Sequence, residues 1–117
     1  MRLVRDAMRR SPVVVDASTT VQEASSRMLD AGLHAAVVVE KGKVCGVTTA
    51  ELVFEALAQG QDASETPVGA IVDREAPVVR VDDTLVDAHL RLRAKQRAVA
   101  AVVGSHGEPL GLLDDDA

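Results

Sequence analysis

Aromatic residues are nearly absent from this sequence, and it has no excess of positive charge. Among its 117 residues, Phe54 is the only Phe, Tyr or Trp, and the formal net charge is −5. Proteins that bind single-stranded nucleic acids stack the bases on aromatic side chains, and nucleic-acid-binding surfaces are generally cationic because they contact phosphates. The composition therefore argues against nucleic acid as a partner.

Cysteine and long apolar segments are scarce as well. The single cysteine, Cys45, cannot form an intramolecular disulfide, which fits a reducing compartment. No apolar run approaches the roughly 20 residues of a membrane-spanning helix, and the arginine-containing N-terminus lacks the apolar region of a signal peptide. We therefore predict a cytoplasmic protein that has no membrane partner.

The clearest local pattern is a β-hairpin followed by a helix. Apolar runs over residues 37–39 and 43–47 flank a polar turn that contains Gly42. Directly afterwards, Thr48-Thr49-Ala50-Glu51 matches a T-x-x-E capping box, in which a side-chain oxygen accepts from a free N–H of the first turn and the glutamate bonds back to the cap. Thr49 and Glu51 are therefore most simply helix-capping residues. The apolar face of this predicted helix carries Leu52, Val53, Ala56 and Leu57.

Much of this pattern occurs twice, which indicates an internal repeat. Residues 99–103 and 109–113 repeat the hairpin strands, so Gly46 and Gly111 hold equivalent positions. Thr20 and Thr84 each precede a predicted helix that follows a short β-branched strand. The sequence predicts a first copy in residues 1–60, a linker in residues 61–66 and a second copy in residues 67–117. Thr66 is predicted to cap a short helix that begins at Pro67.

The duplicated order resembles the cystathionine-β-synthase (CBS) domain, here as the tandem pair called a Bateman module. The resemblance covers nearly the whole chain, and its recognisable pieces are Val4–Met8, Val21–Met28, Gly32-Leu33, Val37–Val39 and Gly46–Thr49. It implies an α/β (α+β) fold of two β-α-β-β(-α) units related by pseudo-two-fold symmetry. The second unit lacks its final helix, and we expect a partner copy, a rearranged N-terminal helix or further residues to cover the apolar surface left there.

The resemblance also implies a ligand site. Many members of the family bind adenine nucleotides or S-adenosyl compounds between the repeats, through a Gly-hydrophobic-x-Ser/Thr-x-x-Asp/Asn motif. In the first copy, Gly46, Val47 and Thr49 match this motif, but Leu52 stands where the ribose-binding acid is expected.

The second copy departs further from the motif. Gly111 and Leu112 match, whereas Asp114 replaces the hydroxyl residue and Ala117 replaces the acid. Repulsion between the carboxylates of residues 114–116 and a nearby phosphate would cost about 1–4 kcal/mol. We therefore expect weak phosphate binding, and a neutral or cationic adenosyl compound fits better. The candidate ligand-binding residues are Val13, Val14, Ala35, Ala36, Gly46, Thr48, Thr49, Pro77, Val78, Val99, Ala100, Gly111 and Asp114.

No residue pattern predicts catalysis or a metal centre. A buried, inert thiol explains Cys45 better than a nucleophile does, and the histidines lack the spacing of metal ligands. The acidic residues 114–116 fit a solvated terminus, with a hard cation such as Mg²⁺ as the minor alternative. We therefore predict that the protein is not an enzyme and has no certain cofactor.

Two functional hypotheses remain open. One is a regulatory module that senses an adenosyl ligand, and the other is a degenerate CBS pair that serves for self-association or protein docking without a small ligand. For self-association as a homodimer, the helices over residues 21–29 and 52–57 offer apolar faces, with Met28 and Phe54 as candidates for the centre of the interface. The alternative places both side chains in the protein's own core.

Overall fold

The computed structural model describes residues 1–116, and the chain forms two compact units. The first, which we call the central unit, consists of Val13–Arg74. The second, the terminal unit, combines Met1–Pro12 with the chain from Glu75 onward. No helix in the described part of the chain is long and apolar enough to cross a membrane.

The elements follow the predicted order. In chain order, the strands are β1 (Arg9–Arg10), β2 (Val14–Asp16), β3 (Ala35–Glu40), β4 (Lys43–Thr49), β5 (Val78–Arg80), β6 (Val99–Val103) and β7 (Pro109–Asp114). The α-helices are α1 (Val21–Ala31), α2 (Ala50–Ala58) and α3 (Leu85–Lys95), and two short 3₁₀ helices cover Val4–Asp6 and Val68–Ala70.

The central unit is a three-stranded sheet packed on helix α1. Strand β2 is parallel to β3, and β3 is antiparallel to β4, so the sheet order is β2-β3-β4. Helix α1 begins where the Thr20 hydroxyl accepts a hydrogen bond from the Glu23 N–H at 3.1 Å. It ends at Gly32, whose φ of 68° places it in the left-handed region that favours glycine. Ala24 and Met28 of α1 pack on Val15 and other aliphatic residues of the sheet.

The terminal unit repeats this arrangement and adds one strand. Its sheet has the order β1-β7-β6-β5, with β5 parallel to β6 and β6 antiparallel to β7. Helix α3 starts at Thr84, whose hydroxyl accepts from the Asp87 N–H at 3.1 Å, and Ala88 and Leu92 pack on Val79 and Leu113. Residues 115 and 116 form a turn after β7, and the described residues contain no final helix in this unit.

The opening segment of each repeat packs in the unit formed mainly by the other repeat. In the terminal unit, the Val4 N–H donates to the Asp83 carbonyl at 2.9 Å. In the central unit, the equivalent Val68 N–H donates to the Thr19 carbonyl at 2.7 Å. Both valines are completely buried, so each 3₁₀ helix contributes an aliphatic side chain to the core that it joins.

The start of α2 confirms Thr49 as a capping residue, one position after the threonine that opens the T-x-x-E pattern, whereas the start predicted at Thr66 is wrong. Helix α2 is capped by Thr49, whose hydroxyl accepts from the Leu52 N–H at 3.2 Å, whereas Thr48 still belongs to β4. Strand alternation decides this, because Thr48 pairs with Ala36 and is buried inside the unit. At the second site, Pro67 is the residue that flanks the 3₁₀ helix, and the Thr66 hydroxyl donates to the Asp62 carbonyl instead of capping.

The two residues predicted at the centre of a self-association surface occupy opposite environments. Met28 is 3% exposed and belongs to the core of the central unit, so its prediction as an interface residue is wrong. Phe54 is 73% exposed on α2. Position 28 faces the sheet because it continues the buried face of α1 formed by Val21 and Ala24.

Candidate functional site

The predicted ligand-binding residues of the central unit lie largely together at one end of its sheet. Ala35 pairs with Thr49, and Ala36 pairs with Thr48. Beside them, the Val37 N–H donates to the Val13 carbonyl at 2.9 Å, which brings the start of β2 to the same end. This is the end of the sheet at which α2 begins.

The terminal unit gathers its predicted residues in the same way. Val99 pairs with Asp114, and the Ala101 N–H donates to the Pro77 carbonyl at 3.0 Å. Val78 pairs with Ala101 on the neighbouring strand. The register makes Asp114 the positional equivalent of Thr49, so a carboxylate takes the place of a hydroxyl at this end of the sheet.

The first turn beyond each sheet confirms this equivalence. The Ala50 N–H donates to the His34 carbonyl at 2.9 Å, and the Asp115 N–H donates to the Ala98 carbonyl at 2.8 Å. The backbone therefore leaves the two sheets along the same path. Ala117, predicted to replace the ribose-binding acid, lies outside the described residues.

Side chains at these sheet ends point to two different faces. Successive residues of a strand alternate between faces, and Val13 and Ala36 belong to the core cluster on the helix side of the central sheet. Thr48 shares that face through its pairing with Ala36, whereas Ala35 and Thr49 point the other way. Six of the predicted ligand-binding residues have side chains on the face away from the helices. They are Val14, Ala35 and Thr49 in the central unit, and Val78, Val99 and Asp114 in the terminal unit.

Ala100 packs in the core of the terminal unit in the same way as Ala36 packs in the central unit. It is fully buried in the terminal core cluster, on the helix side of the sheet. The side chains of Ala36 and Ala100 therefore pack in the cores, and a ligand at the sheet ends would meet them only through their backbone.

Thr48 carries a polar group without a partner. Its side chain is completely buried, and its Oγ1 has no hydrogen-bond partner among the described residues. A buried hydroxyl left unpaired costs about 1–3 kcal/mol of stability. Because it faces the aliphatic core on the helix side, Thr48 is a poor contact for a ligand on the opposite face.

Gly46 and Gly111 have a structural role that the repeat alone did not reveal. The Val47 and Asp73 backbones exchange hydrogen bonds of 3.2 and 2.8 Å, and a Cβ on Gly46 would overlap the Asp73 carbonyl oxygen. In the terminal unit, β1 pairs with β7, and a Cβ on Gly111 would lie 2.6 Å from the Arg9 carbonyl oxygen. Both glycines therefore allow a neighbouring backbone segment to approach the sheet edge.

Thr49 caps helix α2 through its hydroxyl oxygen and also has a hydroxyl proton to donate. Its hydroxyl oxygen accepts from the Leu52 N–H at 3.2 Å. A hydroxyl has one proton to donate as well as two lone pairs, so Thr49 can cap α2 and still donate to a ligand. Leu52, at the third residue of α2, has no polar side chain to bind ribose, as its sequence position indicated.

Cys45 lies half-buried in β4 near Glu40 and Arg74, which form an ion pair at 3.5 Å. Burial raises the pKa of its thiol, and the Arg74 charge opposes this only in part. A raised pKa keeps the thiol protonated at neutral pH and lowers its nucleophilicity. No group of three or more metal-ligating side chains occurs among residues 1–116.

Comparison with known families identifies the repeat. The family described as CBS domain matches residues 4–59 and again residues 68–116. The two matches cover most of the chain and correspond to its two β-α-β-β copies. Comparison with curated protein sequences gives no match.

Several solved structures share this fold at low sequence identity. The CBS domain pair of protein MJ0100, in complex with 5′-methylthioadenosine and S-adenosyl-L-methionine, superposes with a TM-score of 0.85 at 18% identity, over 99% of this chain and 91% of that one. The CBS domain protein PAE2072 from Pyrobaculum aerophilum, complexed with AMP, gives 0.84 at 21% identity, over 96% and 86%. CBSX2 in complex with AMP gives 0.77 at 22% identity, over 99% and 92%.

Proposed function

The chain belongs to the CBS domain family, with one repeat in each half, and we propose that it is a non-catalytic regulatory module that binds an adenosyl compound without a phosphate group. The ligand class includes 5′-methylthioadenosine and S-adenosylmethionine. Ligand binding regulates a partner only if two states of the module bind the ligand with different affinity. We place this activity in the cytoplasm.

The position of Asp114 is the observation that carries this proposal. Asp114 is exposed at the end of β7, on the same face as Val78 and Val99. Aliphatic side chains of this kind pack on an adenine ring, and a carboxylate accepts hydrogen bonds from ribose hydroxyls or attracts an ammonium or sulfonium group. The same carboxylate repels phosphate.

The central unit supports the same ligand class. Val14 is half-buried and Ala35 is buried, and both lie on the same face of the sheet as the Thr49 hydroxyl, where Val14 offers the accessible aliphatic side chain. Helix α2 begins at this point with Glu51 in its first turn and contains no Lys or Arg. Its charged side chains therefore give no attraction to a phosphate chain, while the apolar and hydroxyl groups suit a nucleoside.

The solved relatives support the adenosyl class and differ in the ligand. The MJ0100 pair holds two adenosyl compounds without phosphate, whereas PAE2072 and CBSX2 hold AMP. The charges at Asp114 and Glu51 favour the first kind of ligand for this chain.

Thermal-shift measurements on the wild-type protein test this proposal. A ligand at about 100 times its dissociation constant stabilises the folded state by about 2.7 kcal/mol, which raises the melting temperature measurably. We expect stabilisation by 5′-methylthioadenosine and S-adenosylmethionine and none by AMP or ATP. Asp114→Asn should reduce the shift caused by S-adenosylmethionine, whereas Asp82→Asn, at another exposed carboxylate, should not. Stabilisation by AMP and ATP alone would contradict the proposal.

A second candidate is a CBS pair that has lost its ligand and serves self-association or protein docking. The apolar Leu52 at the ribose-binding position favours it, as does the exposed apolar surface of α2. In this case none of the adenosyl compounds would change the melting temperature.

A further inference from the structure

Arginine is concentrated in one short segment of the terminal unit. Residues 2–10 carry four exposed arginines against one acid, Asp6, although the whole chain has a net charge of −5. The equivalent segment of the second repeat, residues 66–74, ends in Arg74 and has no other basic residue. The fold shared by the two repeats therefore does not explain this positive charge.

Backbone contacts connect three arginines of the terminal unit. The Arg10 guanidinium donates to the Arg5 carbonyl at 3.2 Å, and the Arg5 N–H donates to the Val81 carbonyl at 3.0 Å. Arg80 directly precedes Val81 and ends β5. All three arginines are exposed, and we call Arg5, Arg10 and Arg80 the arginine row.

The corresponding positions of the central unit border one cleft. The Gly69 N–H donates to the Ala17 carbonyl at 2.9 Å, which repeats the contact between the first arginine of the row and β5. The three equivalents of the arginine row all line a cavity of about 550 Å³, and they are Gly69, Arg74 and Asp16. We therefore expect the arginine row to border a cleft at the same place in the terminal unit.

The charge at this place differs between the two units. In the central unit, Arg74 forms an ion pair with Glu40 at 3.5 Å, and Asp16 adds a second carboxylate to the lining. In the terminal unit, the strand registers place Gly104 at the position of Glu40 and Arg80 at the position of Asp16. The terminal unit therefore has neither carboxylate.

Most acidic side chains next to the arginine row bind backbone N–H groups instead. Asp6 and Asp83 each accept from a backbone N–H at 2.9 Å, and Glu108 does so at 2.8 Å. Asp82 is exposed in the turn after β5. In the part of the chain that the structure describes, no ion pair involves the arginine row. The row therefore keeps an excess of positive charge that an anion can neutralise.

The length of the arginine row favours an extended partner over a small anion. Strands β1 and β5 are the two edges of a four-stranded sheet, so about 14 Å separates the backbones of Arg10 and Arg80. An extended peptide rises about 3.3 Å per residue and places alternate side chains on one side, so acids at its first, third and fifth positions span about 13 Å.

We propose that the arginine row binds an extended acidic segment of a partner protein, with Glu or Asp at alternate positions. The planar guanidinium group donates two parallel hydrogen bonds to a carboxylate, and clusters of arginine commonly recognise acidic motifs in this way. The opposite charges also speed the encounter of the two proteins.

This surface lies at the end of the terminal sheet opposite to the adenosyl end. Arg80 pairs with Val103, the last residue of β6, whereas the adenosyl end contains Val99, the first residue of β6. The inference therefore holds whether or not an adenosyl compound binds. Methylthioadenosine titration of each variant below separates the two proposals, because the substitutions should leave that titration unchanged.

Fluorescence anisotropy with a labelled peptide tests the proposal. The probe is Gly-Glu-Ser-Glu-Ser-Glu-Gly, and the control peptide Gly-Ser-Glu-Glu-Glu-Ser-Gly has the same composition with consecutive acids. We expect saturable binding of the probe at low salt, and at least about threefold weaker binding of the control peptide, whose side chains alternate between two sides.

Charge reversal in the protein completes the experiment. Arg5→Glu, Arg10→Glu and Arg80→Glu should each weaken binding of the probe at least about tenfold. Arg80→Lys keeps the charge but loses the planar fork, so its affinity should lie between those of the wild type and Arg80→Glu. Arg27→Glu, an equal charge change at an exposed position of α1, is the matched control and should leave binding unchanged. Circular dichroism checks that each variant is folded.

Three results would overturn the proposal. One is a wild-type protein that does not bind the probe, and another is a loss of binding in Arg27→Glu as large as in the variants of the arginine row. The third is displacement of the probe by pyrophosphate as effectively as by unlabelled peptide, since the surface would then be a site for small anions.

Discussion

Gly46 lies directly against the backbone of Asp73, at the point where Asp73 pairs with Val47 of strand β4. A methyl group on Gly46 would overlap the Asp73 carbonyl oxygen. In the other unit, Gly111 stands in the same relation to Arg9. The glycine shared by the two repeats therefore has a structural explanation in both copies.

We predict that Gly46→Ala and Gly111→Ala each destabilise the fold by about 1–3 kcal/mol, because the added Cβ forces the paired backbone away. Urea denaturation measures the loss. Cys45→Ala, at the half-buried neighbouring position of β4, is the control and should cost less. If either glycine variant were as stable as the wild-type protein, this explanation would be contradicted.

The adjacent threonines Thr48 and Thr49 should respond to the same substitution with opposite sign. Thr48→Val replaces a buried, unpaired hydroxyl by a methyl group, so stability should stay the same or rise by about 1 kcal/mol. Thr49→Val removes the cap of α2 and should lower stability by about 1 kcal/mol. Chemical denaturation of both variants checks the prediction, and a large loss for Thr48→Val would mean that its hydroxyl is hydrogen-bonded.

Asp16 provides a prediction about pH. The Ser18 hydroxyl donates to its carboxylate at 2.6 Å and the Ser18 N–H donates at 2.9 Å, which lowers the Asp16 pKa below its ordinary value. A lowered folded-state pKa stabilises the fold above the unfolded pKa of about 3.9, and this contribution is lost as the pH falls through the folded pKa. Ser18→Ala should raise the Asp16 pKa in an NMR titration of its carboxyl carbon. Ser64→Ala, which alters the corresponding contact of Asp62, should leave Asp16 unchanged.

Restoring the family motif should create ribose binding in the central unit. Leu52 is half-buried in the first turn of α2, where a carboxylate also interacts favourably with the helix dipole. We predict that Leu52→Asp increases the affinity for methylthioadenosine measured by calorimetry, whereas Leu52→Ala does not. Equal affinities of the two variants would mean that the new carboxylate does not face the ligand.

Local patterns in the sequence predicted most of the fold. The hairpin of β3 and β4, the capping threonines Thr20 and Thr84, and the left-handed Gly32 follow from short-range rules of residue type and spacing. The motif departures at Leu52 and Asp114 were also visible in the sequence, because they depend on position within the repeat.

What the sequence did not predict depends on distant contacts. Strand β1 consists of only Arg9 and Arg10, which have no strand pattern of their own and become a strand by pairing with β7. Val4 is buried in the terminal unit, where its N–H bonds to the carbonyl of Asp83, almost eighty residues away in the chain. The T-x-x-E pattern opens one residue before the observed cap of α2, because Thr48 and Thr49 have the same side chain and only the pleat of β4 distinguishes them.

Isothermal titration calorimetry of the wild-type protein with 5′-methylthioadenosine, S-adenosylmethionine, AMP and ATP tests the central claim most directly. The account predicts saturable binding of the first two, with dissociation constants at least about tenfold lower than those of AMP and ATP. High salt should reduce this difference in affinity, because it arises from the exposed carboxylates of Asp114 and Glu51, whose charges salt screens. Micromolar or tighter binding of AMP or ATP without binding of methylthioadenosine would contradict the account.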